Sequence, residues 1–315
     1  MNSTKVCVFS WLQPDRTCKT QLQKGKMQAR HMDYQTARQC ATLSQEIYAD
    51  LDTLTFSEWP GMKPYCIDNK GTDTQLAILE DPARSLAVLI FRGSNAGRDW
   101  QLNFKFGKQR WNWLSTQEKA FKRDLHHVTG QMRGSVASKK DLIYPAIYGR
   151  SRRNVKMHRG FVEAYLSVRS QIHAHLQKSS ATNIRITGHS LGGALAKLCA
   201  VDVQYNFSDR LNHLEVYTFG APKPGNRAFV ASYNERVPHT WRVVYGRDLV
   251  ASLPRWWQGY RHVNTNLALE RDFSWRFLSA KVNDHRMDNY VQALETLAQR
   301  EMVPPPVGHW VQRQA

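Results

Sequence analysis

Long apolar runs are missing from this 315-residue chain. Its mean hydropathy is −0.56, and no stretch approaches the roughly 20 apolar residues that a membrane-spanning helix needs. Cysteine is sparse and odd in number: Cys7, Cys18, Cys40, Cys66 and Cys199. None belongs to a CxxC or to a Cys/His spacing, which argues against a zinc site and against a paired disulfide framework. Reduced thiols are expected. The first 26 residues, MNSTKVCVFSWLQPDRTCKTQLQKGK, hold no apolar segment long enough for a secretory leader and are interrupted at Pro14, Asp15 and Arg16. No classical export signal is therefore expected, which leaves a cytoplasmic location or a signal-less route. Repeats at solenoid or propeller periods are absent. Acidic residues are few, 26 against 44 Lys and Arg, for a formal charge of +18. Such a field attracts nucleic acid, anionic membrane surfaces or acidic partners, or simply maintains solubility.

What is present is ordinary globular composition, 42% hydrophobic and 22% charged. Collagenous, coiled-coil and mostly disordered chains are excluded. One domain over residues 31–300 is expected, with a basic tail at 1–30 and a Pro-rich tail at 301–315. Residues 34–48 carry a broad helical stripe through Tyr34, Ala37, Ala41, Ser44 and Tyr48. DTQLAILE (73–80) and SLAVLIF (85–91) are strand-like and joined at Asp81-Pro82-Ala83-Arg84, as in a hairpin. Val162, Tyr165, Val168 and Ile172 recur at helical spacing. NIRIT (183–187) precedes a helical run at 191–203, and two more strands are expected at 214–220 and 240–246. A last helix at 288–298 cannot continue past Pro304-Pro305-Pro306. Strands alternating with helices imply an α/β fold, with a mostly parallel central sheet flanked by helices.

One region departs from this alternation. Residues 92–159 contain 16 Lys or Arg and 4 Asp or Glu, together with Trp100, Phe104, Phe106, Trp111 and Trp113. Periodicity is weak there. The stretch 98–156 reads as a basic, aromatic insertion lying on the domain.

The chemistry is carried by TGHSLGGALA (187–196), a G-x-S-x-G directly after a β-rich run and directly before a helical one. A serine at such a turn adopts strained backbone angles, and flanking glycines avoid Cβ clashes. The turn presents Ser190 Oγ at the C-terminal edge of the sheet. It also puts the Leu191 N–H at a helix N-terminus, where an oxyanion is stabilised.

A serine nucleophile requires a base, and the base an orienting acid, in the chain order Ser, Asp/Glu, His for this type of turn. Asp248 follows the strand TWRVVYG, and His285 stands just ahead of the last helix. Other histidines compete for the base: His158, His189, His239 and His262. Among these His189 is expected to point away from Ser190, and His158 to hold the oxyanion loop after residue 91 by hydrogen bonding. Asp202 and Asp209 are expected to be solvated surface acids, and Cys199 a small core residue.

With these motifs the chain resembles the class 3, fungal-type lipases of the α/β-hydrolase superfamily. The resemblance rests on FRGS (91–94) with Arg98-Asp99-Trp100, on MHRGFVEAY (157–165), on TGHSLGGALA, on RDLVASLP followed by YRHV (260–263), and on DHRMDNY (284–290). It implies Ser190 as nucleophile, Asp248 as acid and His285 as base. It further implies an oxyanion hole from the Ser94 and Leu191 N–H groups, no metal and no organic cofactor. The insertion takes the place of the family's lid but is longer and more basic.

Within the insertion, Trp100, Trp111 and Trp113 are candidates for lid and substrate contacts, and Trp256 for the rim of an acyl pocket. Lys105, Lys108 and Arg110 suit contact with an anionic membrane. Binding of single-stranded nucleic acid ranks last among the readings of this segment. The expectation is a serine carboxylic-ester hydrolase acting on a lipid ester, a triacylglycerol or acylglycerol lipase. The alternatives are a phospholipase A1 on anionic membranes and a non-catalytic lipase-like binding module.

Overall fold

A computed structural model describes residues 32–94, 155–254, 259–263, 265–270 and 284–302. Both terminal tails, most of the 98–156 insertion, and Trp100, Trp111, Trp113 and Trp256 lie outside the described residues. The helices and strands all belong to the body from Asp33 onward.

Helix α1 (Tyr34–Glu46) opens on Asp33, whose carboxylate accepts the Gln35 and Thr36 N–H groups at 2.9 and 3.3 Å. These are two of the donors that a helix start leaves orphaned. Strands β1 (Tyr65–Asn69), β2 (Thr74–Asp81) and β3 (Leu86–Phe91) follow. Beyond the insertion come α2 (Arg159–Lys178), β4 (Asn183–His189) and α3 (Leu191–Asn206). Then come β5 (His213–Phe219), β6 (Gly225–Asn226), α4 (Arg227–Arg236) and β7 (Thr240–Tyr245). Two short strands, β8 (Tyr260–Arg261) and β9 (Thr265–Leu269), precede α5 (Met287–Met302).

Seven of these strands form one sheet in the order β1-β2-β3-β4-β5-β7-β9. The β1-β2 and β2-β3 pairs are antiparallel, and the four pairs from β3 to β9 are parallel. The expected link between β2 and β3 is a hairpin closed by a single 3₁₀ turn, Pro82–Arg84. Every residue of β3 is buried, as befits a central strand covered on both faces.

The pleat divides the core in two. Leu76, Ile78, Ala87, Leu89 and Phe91 face α2 and α3, while Ala77, Leu79, Leu86, Val88 and Ile90 pack with Leu43, Ile47 and Tyr48 on the α1 side. Adjacent residues thus enter opposite cores, the consequence of a side-chain period of two. Helix α3 is buried from Gly192 to Val203. Its apolar circumference matches its place between the sheet and α2. This sandwich brings the C-terminal ends of β3, β4, β5 and β7 to one rim, where the loops carrying chemistry emerge.

Asp202 departs from its sequence reading. It is fully buried on α3 and accepts hydrogen bonds from Tyr165 at 2.5 Å, Arg169 at 2.9 Å and His173 at 2.7 Å, all on α2. Donors from the facing helix replace water, so the carboxylate is an interhelical anchor and not a solvated surface acid.

Candidate active site

Ser190 sits between the end of β4 and the start of α3 with φ 56° and ψ −129°. A non-glycine residue with positive φ is strained, and it survives only where its surroundings over-determine it. Here they do. Ser190 N–H donates to the Phe219 carbonyl at 2.9 Å, and Gly193 N–H donates to the Ser190 carbonyl at 3.1 Å. A Cβ at Gly188 would lie 2.6 Å from the Gly192 backbone, so the turn closes only with glycine there. Leu191 is the first residue of α3, and its N–H has no intrahelical partner.

His285 stands two residues before α5, and Asp248 three residues after β7. His285 Nε2 lies 2.9 Å from Ser190 Oγ, and its Nδ1 lies 2.7 Å from Asp248 Oδ2. An ionised carboxylate only accepts, so Nδ1 carries the ring proton and Nε2 offers a lone pair toward the serine hydroxyl. All three side chains are buried. His285 thus stands between two side chains from distant parts of the chain and is within hydrogen-bonding reach of both.

The acid is held from several directions. Its Oδ1 accepts the Val250 and Ala251 N–H groups at 2.9 and 3.4 Å, and its Oδ2 also accepts the Tyr290 hydroxyl at 2.6 Å. Burial, with the Asp248 charge beside it, pushes the Tyr290 phenol well above its usual range, so it stays a donor. Gly220, with φ 55°, forms the floor below these groups. The loop carrying Asp248 is braced by His262, which donates to the Ala251 carbonyl at 2.7 Å, and by Lys223, which donates to the Pro254 carbonyl at 3.1 Å. Asp284 accepts the Arg247 N–H at 3.0 Å and ties the base loop to the acid loop.

Of the competing histidines, His158 caps α2, its Nδ1 accepting the Phe161 N–H at 3.4 Å. His262 braces the acid loop. His239 packs against His213 at 5.0 Å between ring centroids. His189 faces the base, with ring centroids 4.4 Å apart. Two residues with a part in the site do not stand out from the sequence. Tyr290 enters there only as the last residue of DHRMDNY, with no role of its own, and Tyr48 only as the end of a helical stripe. A buried hydroxyl on an apolar stripe was the available signal, since it must find a partner.

Ser94, three residues past β3, lies in the adjoining loop; a Cβ built at Gly93 would be 3.3 Å from Ser190 Cβ. No group of three or more His, Cys, Asp or Glu side chains suited to a metal ion occurs among the described residues.

Residues 88–257 match the family described as lipase (class 3), which is more than half of the chain. A Caenorhabditis elegans lipase is 43% identical over 72 residues, covering 23% of this chain and 20% of its own. A secreted mono- and diacylglycerol lipase of Fusarium solani is 29% identical over 206 residues, covering 64% of this chain and 49% of its own. The chain thus spans less than half the length of these two relatives. Among solved structures, a lipase from Rhizopus microsporus var. chinensis superposes with a TM-score of 0.56 at 21% identity, covering 83% of this chain and 87% of that one. A likeness at that identity speaks for the α/β-hydrolase fold alone. The family match, the elbow between β4 and α3 and the shared fold agree: this chain belongs to the class 3 lipase family.

Proposed function

We propose that the protein is a serine carboxylic-ester hydrolase acting on acylglycerols through an acyl-enzyme. One observation carries the reading: Ser190 Oγ, His285 and Asp248 form a continuous hydrogen-bonded series of 2.9 and 2.7 Å at a strained strand-to-helix turn. His285 Nε2 removes the hydroxyl proton as Oγ attacks the ester carbonyl. Asp248 keeps the ring in the Nδ1–H tautomer and stabilises the imidazolium that forms. The Leu191 and Ser94 N–H groups receive the oxyanion of the tetrahedral intermediate. His285 then returns its proton to the leaving alcohol, and the acyl group remains on Ser190. Water enters, gives its proton to the same nitrogen and attacks the acyl carbonyl; as the Ser190 Oγ–acyl bond breaks, His285 returns that proton to Oγ and the fatty acid leaves. Apart from that water and the ester, each step uses side chains and main-chain groups of this chain.

The test is hydrolysis of a chromogenic short-chain ester by wild type and Ser190→Ala. The variant is expected to lose at least about 10⁴-fold in kcat. Equal turnover by the two proteins overturns the reading.

A phospholipase A1 activity on anionic membranes is the second reading, favoured by the charge of +18 and by the 16 basic residues between positions 92 and 159. Product analysis on triacylglycerol emulsions and on anionic phospholipid vesicles separates the two. Fatty acid released from the emulsion alone supports the acylglycerol reading, and release from the vesicles alone replaces it.

A further inference from the structure

The elbow histidine, His189, takes no part in the proton transfers described above, yet it is buried among the groups that perform them. Its Nε2 lies 2.9 Å from the main-chain carbonyl oxygen of His285, and its Nδ1 lies 2.9 Å from Tyr48 Oη. A carbonyl can only accept. Nε2 therefore bears the proton, Nδ1 is bare, and the Tyr48 hydroxyl must be the donor to it. The phenol oxygen in turn receives the Gly93 N–H. A Cβ at residue 93 would fall 2.1 Å from that oxygen, so the phenol reaches the strand end only because residue 93 is glycine.

Every proton in this series has one permitted direction. Gly93 donates to Tyr48, Tyr48 donates to His189, and His189 donates to the backbone of His285. The series starts beside Ser94 and ends at the base. Burial, with His285 adjacent, holds the His189 imidazole well below its usual pKa, so it remains uncharged where the base operates. That matters at a centroid separation of 4.4 Å, because a second cation there would oppose the imidazolium that His285 becomes.

We infer that His189, acting with Tyr48, is a positioning residue that fastens the main chain of the base loop to the loop after β3, so that base and oxyanion donors keep a common register. The inference rests on the Ser190–His285–Asp248 reading. A general acid or base role for His189 is not implied, since neither of its nitrogens points to Ser190.

The experiment compares kcat and KM on a short-chain chromogenic ester for wild type, Tyr48→Phe, His189→Gln, His189→Leu and the Tyr48→Phe/His189→Leu double variant, each assayed well below its own Tm. Misplacement of a base costs chemistry more than binding, so His189→Leu should lose about 10²-fold in kcat with KM within about threefold. Glutamine keeps an N–H donor and should retain more activity than leucine, and Tyr48→Phe, nearly isosteric, should lose about tenfold. The double variant should be no worse than His189→Leu alone, because the two residues act as one unit. Wild-type kcat in Tyr48→Phe, whatever the fate of the leucine variant, overturns the inference. Additive losses in the double variant do the same. Full activity in Ser190→Ala would instead overturn the reading beneath it, so the two failures are distinguishable.

Discussion

Tyr290 donates its phenol proton to Oδ2 of Asp248 at 2.6 Å, the same oxygen that receives the His285 Nδ1–H at 2.7 Å. One oxygen therefore serves two donors, while Oδ1 is occupied by main-chain N–H groups. Tyr290→Phe removes one donor and leaves the packing intact. A hydrogen bond to a charged group is worth about 1.5–3 kcal/mol, so the variant should be destabilised by about 2 kcal/mol in urea unfolding. Its kcat should fall about tenfold, since the carboxylate that orients the base is less firmly held. Unchanged stability together with unchanged kcat would show that the bond contributes to neither.

Gly220 combines a φ of 55° with a crowded floor. A Cβ there would lie 2.4 Å from Asp248 Oδ2 and 2.9 Å from His285 Nδ1. Gly220→Ala must therefore displace the acid, the base or the backbone. Backbone strain alone costs about 1–3 kcal/mol. We expect a Tm below wild type and a kcat reduced by about 10²-fold or more, with Ser190 itself untouched. Titrating the variant with an organophosphorus ester checks the cause: reaction with Ser190 should slow in parallel with kcat.

The Asp202 anchor separates stability from chemistry. Burial acts to raise its pKa, but the hydrogen bonds from His173, Arg169 and Tyr165 outweigh it, and the group sits below the ordinary carboxylate value. A lowered folded-state pKa means stability that is present above the unfolded value of about 3.9 and lost as pH falls through the folded one. Asp202→Ala strips the buried Tyr165 hydroxyl and the part-buried Arg169, His173 and Asn206 donors of their acceptor and should cost about 3–5 kcal/mol at neutral pH. Asp202→Asn should flatten the decline in stability below about pH 4 that wild type shows in urea unfolding. Twelve residues of helix, about 18 Å, separate it from Ser190, so kcat per folded molecule should stay at the wild-type value.

Much of the framework was legible because local rules and global fold agree. The buried β3 is a run of six apolar residues, and α2 repeats apolar positions at helical spacing, so both elements announce themselves. Strand β1 and helix α4 do not. β1 is a five-residue strand, YCIDN, buried fully only at Ile67, and α4 buries just Phe229, Ser232 and Tyr233 among polar neighbours. Pairing with β2 and packing beside β6 decide those segments, and neither influence is local. Asp202 is illegible for a related reason. An acid on a helix looks solvated until the facing helix is known to supply its donors.

The order of Ser190, Asp248 and His285, their placement at element ends and the elbow itself were written in the chain, because a strained turn and its flanking glycines leave a local signature. Which tautomer each imidazole holds, which hydroxyl supports Asp248, and that His189 joins Gly93 and His285 through Tyr48 were decided only in three dimensions. Those bonds cross up to 141 residues of chain, and a hydrogen bond depends on distance and direction between groups that the string does not place side by side.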